Sequence, residues 1–426
     1  MSASAESFLH ANPFALSSIT SACEQSSIVA SRDIVDEAGA QLWARDLRIT
    51  PDLHQRLIER KLRAPLETSL DVQDGVDAPA VAADLEALVA EPNEPLRGLL
   101  EPFAKHLLVD ARQLHLHAVV RLLLTVARQV RPATYRHAVR AAALAGALAQ
   151  QVQAPTGFAR RAMLAGLVHD LGEIYVNPDY LDARRQLDLT EYRQLAAHPQ
   201  VGAMLLAELT DYPGELVRAV LEHHERMDGT GYPGQTLGSA LSPMGQLLGV
   251  VELVLGIADA RPAAPARAAF ALKFMPGEWS GFWAGPITRW AATQPPPWCD
   301  TPLACPDPAA ELAPLDGELE QLLATAEAVA QSLHDAPRRV AERAIHRLKR
   351  LRVAWNAMGL WSVPATLSEP GECFDVDLAL GELRYRAGMI GRDCLWPETE
   401  QAVMGDARLV PLWTALQRAA ARTPRY

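Results

Sequence analysis

From Val81 to the end of the 280s, apolar residues return every three or four positions, with only short interruptions. That period lines one face of a helix, whereas a strand alternates faces every second residue. Leu114, Val119, Leu122, Leu123, Val126 and Val130 form one such stripe, and Pro132 ends it. The segment from His137 to Val152 carries Val139, Ala142, Leu144, Ala145 and Leu148 on one side. Further helices are predicted over 158–171, 190–209, 214–226 and 242–257, separated at Gly172, Asp211-Tyr212-Pro213 and Asp228-Gly229. Residues 81–293 are therefore expected to form a helical bundle.

The flanks read differently. Residues 1–25 look like a polar, weakly ordered lead. Ile34-Val35 and residues 41–44 suggest a hairpin across Asp36-Glu37-Ala38-Gly39, and Pro51 opens a helical pattern through Leu53, Leu57 and Leu62. Residues 1–80 are thus expected to hold a small mixed α/β module. Residues 294–314 are Pro-rich and read as a linker. Beyond it, 315–333 and 336–358 read as a helix pair within a mainly helical accessory region, 315–426. The expected fold class is mostly α.

Composition narrows the functional classes. At 426 residues the chain has room for about two to four domains, and 49% apolar with 21% charged residues is ample for buried cores. Fifty-one acidic residues against 40 basic ones give a net charge of −11, which argues against bulk nucleic-acid binding but leaves room for a local basic pocket. The longest apolar run, 244–257, is too short for a membrane span and carries Glu252. The first twenty residues lack the basic start and apolar core of a secretory signal. The five cysteines, Cys23, Cys299, Cys305, Cys373 and Cys394, show no CxxC spacing, so neither a thiolate zinc site nor a disulfide framework is expected. A cytoplasmic protein fits this pattern best.

The chemistry concentrates in the histidines. His137, His169 with Asp170, His198, and the pair His223-His224 fall on successive helical runs, with His117 a less regular outlier. Neutral imidazoles and carboxylates suit divalent iron, manganese or zinc. Adjacent His169 and Asp170 point about 100° apart on a helix, so they can hold different edges of one site. Facing helices are a natural scaffold for such a site.

These pieces resemble the HD-GYP family of the HD phosphohydrolase superfamily. The matching residues are His137, the stretch Leu167-Val168-His169-Asp170-Leu171-Gly172, His198-Pro199, and His223-His224-Glu225-Arg226-Met227-Asp228-Gly229-Thr230-Gly231-Tyr232-Pro233. The steps of 32 residues from His137 to His169 and 28 from Asp170 to His198 also suit the family. The resemblance implies an HD-type all-α domain with two divalent transition-metal ions, iron or manganese, that hydrolyses cyclic di-GMP to pGpG or GMP. By that likeness His137, His169 and Asp170 hold one ion, completed by Glu252 where the family has Asp. Asp170 bridges to a second ion on His198, His223 and His224. Ala133 stands where three-metal members carry Glu. Two cations would supply a hydroxide at neutral pH and offset charge on the phosphodiester. Arg226, Gly231, Tyr232, Pro233 and Arg261 would then meet the substrate, cyclic di-GMP or a related phosphorylated nucleotide.

Two departures weaken the implied substrate site. Glu173 replaces a phosphate-binding Lys, and Ala264 replaces a basic residue. Two readings follow: an active cyclic-nucleotide phosphodiesterase, or a degenerate member that acts as a nucleotide- or protein-binding signalling module. In either case the Gly-Tyr-Pro loop is a candidate contact for a protein partner, and the helix pair beyond residue 315 is a candidate dimer contact.

Overall fold

The computed structural model describes residues 8–57, 60–182, 185, 187–260, 263–296, 303, 305, 307–364, 367, 369–395 and 406–421. The chain divides into two compact units. One comprises residues 1–185, 194–224 and 241–255, and the other 186–193, 225–240 and 256–426.

The first unit opens with α1 (Pro13–Ala22), which corrects the expectation of a weakly ordered lead through residue 25. The Asn12 side chain accepts hydrogen bonds from the Phe14 and Ala15 amides, and Pro13 sits where its missing N–H costs nothing. Leu16, Ile19 and Ala22 then reach one buried face. Next come β1 (Ile28–Ala30), β2 (Ile34–Val35), β3 (Gln41–Trp43), α2 (Asp52–Leu57) and β4 (Leu70–Val72). The expected hairpin forms, with Ile34 opposite Trp43. Strand β1 pairs instead with the distant β4, Ile28 opposite Val72, a pairing the local pattern does not announce. Leu62, expected on a helix, is extended and bridges to Asp36.

The helices follow in chain order: α3 (Ala78–Ala90), α4 (Arg97–Leu100), α5 (Ala104–Ala111), α6 (Ala118–Val130), α7 (Pro132–Gln151) and α8 (Phe158–Val168). After α8 a 3-10 turn, Leu171–Tyr175, replaces the end of the longer helix that was expected. The run 190–209, expected as one helix, is two: α9 (Leu189–Ala196) and α10 (His198–Leu209). Pro199 is the physical cause, because in a continuous helix its ring would collide with the Leu195 carbonyl and leave it unbonded. Helices α11 (Gly214–Glu222) and α12 (Pro243–Ala260) complete the series, α12 passing from the first unit into the second.

In the second unit lie α13 (Ala264–Phe274), α14 (Gly281–Ala291), α15 (Pro308–Ser332), α16 (Asp335–Ala357), α17 (Pro370–Leu395) and α18 (Val410–Ala421). Helix α15 starts inside the Pro-rich stretch, where Asp307 caps the Ala310 amide and Pro308 takes the first position. Leu319, Leu322 and Ala326 of α15 pack with Val340, Ala344, Leu348 and Leu351 of α16. Leu383 of α17 and Leu412 of α18 join the same core, so this apolar stripe is covered within the unit. Among the described residues, no helix is long and apolar enough to cross a membrane.

Candidate metal centre

Three histidines are aimed by one device. His169 and His223 are the C-cap residues of α8 and α11, and His198 opens α10. In each ring Nδ1 lies against the carbonyl three residues back: Gly166 at 2.7 Å, Leu195 at 2.8 Å and Val220 at 2.6 Å. Helix ends leave such carbonyls without helical partners, and Pro199 does the same for Leu195. A proton on Nδ1 satisfies the carbonyl and leaves the Nε2 lone pair directed at the site.

Two glycines permit the helices to come this close. A Cβ on Gly166 would lie 2.8 Å from the Ala141 carbonyl on α7, the helix that carries His137. A Cβ on Gly172 would fall on the His198 carbonyl oxygen, so the turn after Asp170 packs against α10 only with glycine there. That turn is also clamped by buried Arg131, whose guanidinium donates to the carbonyls of Glu173 at 2.6 Å, Val176 at 3.4 Å and Ile174 at 3.5 Å. Arg131 was not singled out in the sequence, where only its place beside Pro132 sets it apart.

The result centres on Asp170. Its Oδ2 lies 3.1 Å from His169 Nε2 and 3.7 Å from His137 Nε2. Glu252 Oε2 joins that side, 3.0 Å from His137 and 3.4 Å from His169. Asp170 Oδ1 faces the other way, 3.3 Å from His198 Nε2 and 3.4 Å from His223 Nε2. His224 completes the second group, its ring centroid 4.3 Å from that of His223. Within each group the donor atoms all lie within 4.8 Å of one another.

The polar inventory fits a cation. Among the described residues, His169 Nε2 and Asp170 Oδ1 are buried without a well-formed hydrogen bond, a costly arrangement unless each meets a ligand on its own side of the carboxylate. The Nε2 atoms of His198 and His223 approach to 3.1 Å while both Nδ1 atoms face carbonyls. Two lone pairs so placed repel unless positive charge lies between them. Either group of oxygen and imidazole donors can therefore hold a divalent metal ion.

Electrostatics point the same way. Burial pushes Asp170 up, but His169 and the other imidazoles outweigh it and hold the carboxyl well below its usual range. Glu252 is likewise held low, burial being outweighed by His137 first. Burial pulls His169 down, yet Asp170 and Glu252 lift it to about 10. His223 and His224 are lowered, mainly by burial, which favours the neutral imidazole that a metal takes. Glu173 is pushed up to about 7, by burial and then by the Asp170 charge.

Residues 121–278 match the HD domain family. The HD-domain segment thus spans every residue of the cluster, and the resemblance drawn from the motifs holds. Over 157 residues the chain is 35% identical to the cyclic di-GMP phosphodiesterase PA4108 of Pseudomonas aeruginosa, covering 37% of this chain and 38% of that one. It is 28% identical over 163 residues to the 3'3'-cGAMP-specific phosphodiesterase 3 of Vibrio cholerae, covering 38% and 35%. With the cyclic di-GMP phosphodiesterase response regulator RpfG of Xanthomonas campestris the identity is 29% over 147 residues, covering 32% and 38%. The chain therefore spans between 35% and 38% of the length of these relatives. No solved structure matches it.

The other expected site residues are described within their own units. Arg226, Gly231, Tyr232 and Pro233 belong to a loop, 225–240, in the second unit. Glu225 accepts the Gly234 and Thr236 amides and so pins that loop. Arg226, expected to meet substrate, lies 3.3 Å from the buried Glu278 of its own unit and over the face of Trp279. Arg261 lies outside the described residues. Ala264 is buried at the start of α13. His117, the outlier, caps α6 by accepting the Val119 amide.

The role of Glu252 can be tested directly. Glu252→Asp should keep metal, whereas Glu252→Gln, which loses charge and keeps shape, should deplete the His137 side by tenfold or more in affinity. Elemental analysis of dialysed protein checks this, and undiminished metal in Glu252→Gln would mean that Glu252 is no ligand.

Proposed function

We propose that this protein is a metal-dependent phosphohydrolase acting on a cyclic dinucleotide, cyclic di-GMP first. The observation that carries the reading is the orientation of Asp170, one oxygen toward His137, His169 and Glu252 and the other toward His198 and His223. A carboxylate with two faces, each lined by imidazoles, suits a pair of divalent ions, iron or manganese. Such ions, when bound, lower the pKa of water and offset the charge that builds on a phosphodiester. His169, His198 and His223 present Nε2 because their Nδ1 atoms are held by backbone, and Asp170 fixes the spacing of the two halves. The names of the relatives, cyclic di-GMP and cGAMP phosphodiesterases, support the substrate class.

One observation favours the second reading, a weakly active or silent binding module. Glu173 is half-buried three residues after Asp170; its carboxylate accepts from the Thr134 hydroxyl at 3.3 Å and interacts electrostatically with the buried Arg131. When ionised it sets a negative charge where a dianionic substrate would need a positive one.

The two readings separate by experiment. The metal-loaded wild type should cleave cyclic di-GMP slowly, and Glu173→Lys should raise kcat/KM by about tenfold, or about 1.4 kcal/mol, at unchanged metal content. The Glu173→Gln variant should gain less, since it removes repulsion without adding attraction. If metal-loaded wild type and Glu173→Lys both leave cyclic di-GMP and cGAMP intact, the chain is a binding module.

A further inference from the structure

The 3-10 turn Leu171–Tyr175, which follows Asp170, is held in part by residues that precede the HD-domain match at 121–278. The Glu173 amide donates to the Asp170 carbonyl at 2.9 Å, so the turn and Asp170 share one backbone framework. Two groups from residues 1–80 reach this turn, and a third reaches its clamp, Arg131. Asn12, whose Oδ1 caps α1, donates through Nδ2 to the Tyr175 carbonyl at 3.2 Å. The Ser18 hydroxyl accepts from Arg131 at 3.4 Å. Glu67 Oε1 accepts from the Tyr175 hydroxyl at 2.7 Å, across 108 residues of sequence.

Glu67 is itself firmly placed. It lies on the 3-10 turn Leu66–Ser69, which leads into β4, and Leu66 beside it is buried with Leu122 and Val126 of α6. Glu67 and Tyr175 are 4% and 8% exposed, and the Phe8 ring stands edge-on to Tyr175 with centroids 6.0 Å apart. Burial, then Glu67, holds the Tyr175 hydroxyl well above its usual range, so it keeps its proton and donates. Glu67 Oε2 is buried with no hydrogen-bond partner among the described residues. A buried carboxyl left half satisfied costs more than an apolar side chain filling the same space. Packing alone therefore does not account for the pair. A short bond onto the last residue of the turn after Asp170 does.

Resting on the metal reading above, we propose that Glu67 and Tyr175 are positioning residues: through them the N-terminal module fixes the turn after Asp170 and so raises the affinity of the cluster for divalent cations. A direct partner of a metal ligand is worth roughly 10–100-fold in metal affinity, and for a pair one step further removed about fivefold is expected.

The test compares the full-length wild type with Tyr175→Phe, Glu67→Leu and Glu67→Gln. Phenylalanine keeps the ring against Phe8 and removes the hydroxyl. Glutamine keeps an acceptor for that hydroxyl, and leucine does not. In metal-stripped protein, hydrogen–deuterium exchange across residues 169–176 should quicken by about fivefold in Tyr175→Phe and Glu67→Leu, and stay near the wild-type rate in Glu67→Gln. Manganese(II) affinity, titrated calorimetrically well below each melting temperature, should fall by about fivefold in the first two variants and recover in the third. A role in stability alone would lower the melting temperature and move neither readout. Unchanged exchange in Tyr175→Phe and Glu67→Leu overturns the positioning role, as does quicker exchange with unchanged manganese affinity. A wild type that takes up no manganese overturns the metal reading instead, and the exchange rates then decide by themselves whether Glu67 holds the turn.

Discussion

Asp170→Asn is expected to remove most of the metal and to lower phosphodiesterase turnover by about a thousandfold, roughly 4 kcal/mol of transition-state stabilisation. Asparagine keeps the shape of the side chain but offers one neutral oxygen and an NH2 group that repels a cation. Whichever way it turns, one of the two imidazole groups loses its anionic partner. The loss should be visible without any assay of activity. In metal-stripped protein His169 is lifted to about 10 by Asp170 and Glu252 against the pull of burial, so in Asp170→Asn it should titrate at lower pH. Elemental analysis and histidine NMR read the two effects separately. Full metal content in Asp170→Asn would mean that the carboxylate is no bridge, and an unmoved His169 would assign its proton affinity to Glu252.

How far the sequence foretold this centre follows from what kind of interaction made it. The helical stripes, the five histidines and Asp170 were legible because they rest on residue type and spacing, whereas Glu252 was reached only through the family likeness: Leu122 and Val126 are buried as their period requires, and His169-Asp170 needs only a helix end. The break at Pro199 was also written in the sequence, yet helical periodicity on both sides masked it. It matters more than a boundary usually does, because the carbonyl it releases is the one that orients His198. The pairing of β1 with β4 was not legible, being set by a shared core rather than by a turn. Nor was the clamp by Arg131, since nothing in an isolated arginine says that three carbonyls of a later turn will converge on it. Helix α1 carries the start signal Asn12-Pro13, but the polar residues around Leu16 and Ile19 hide its apolar face in the sequence.

The hidden partner of Arg226 leads to the other large effect. Glu278 is 1% exposed and holds Arg226 at 3.3 Å, and it also pairs with Arg386, itself bonded to Glu382 at 2.7 Å. Burial lowers the affinity of Arg226 for its proton, but Glu278 reverses this, and the same carboxylate lifts Arg386 well above its usual range. One carboxylate thus touches two largely buried cations, with Glu382 beside Arg386 and Asp393 3.9 Å from Arg226. Glu278→Ala should therefore cost about 3–5 kcal/mol, the usual range when one partner of a buried ion pair is removed and the other stays charged. Because Arg386 keeps Glu382, the lower end of that range is expected. Glu278→Gln keeps the shape and some hydrogen bonds and should cost less. Urea unfolding measured on the full chain reads both. Arg226→Ala separates a structural role from a substrate one: it should destabilise the chain while leaving KM for cyclic di-GMP within about twofold. A stable Arg226→Ala protein with KM raised tenfold would show instead that this guanidinium leaves Glu278 to meet substrate.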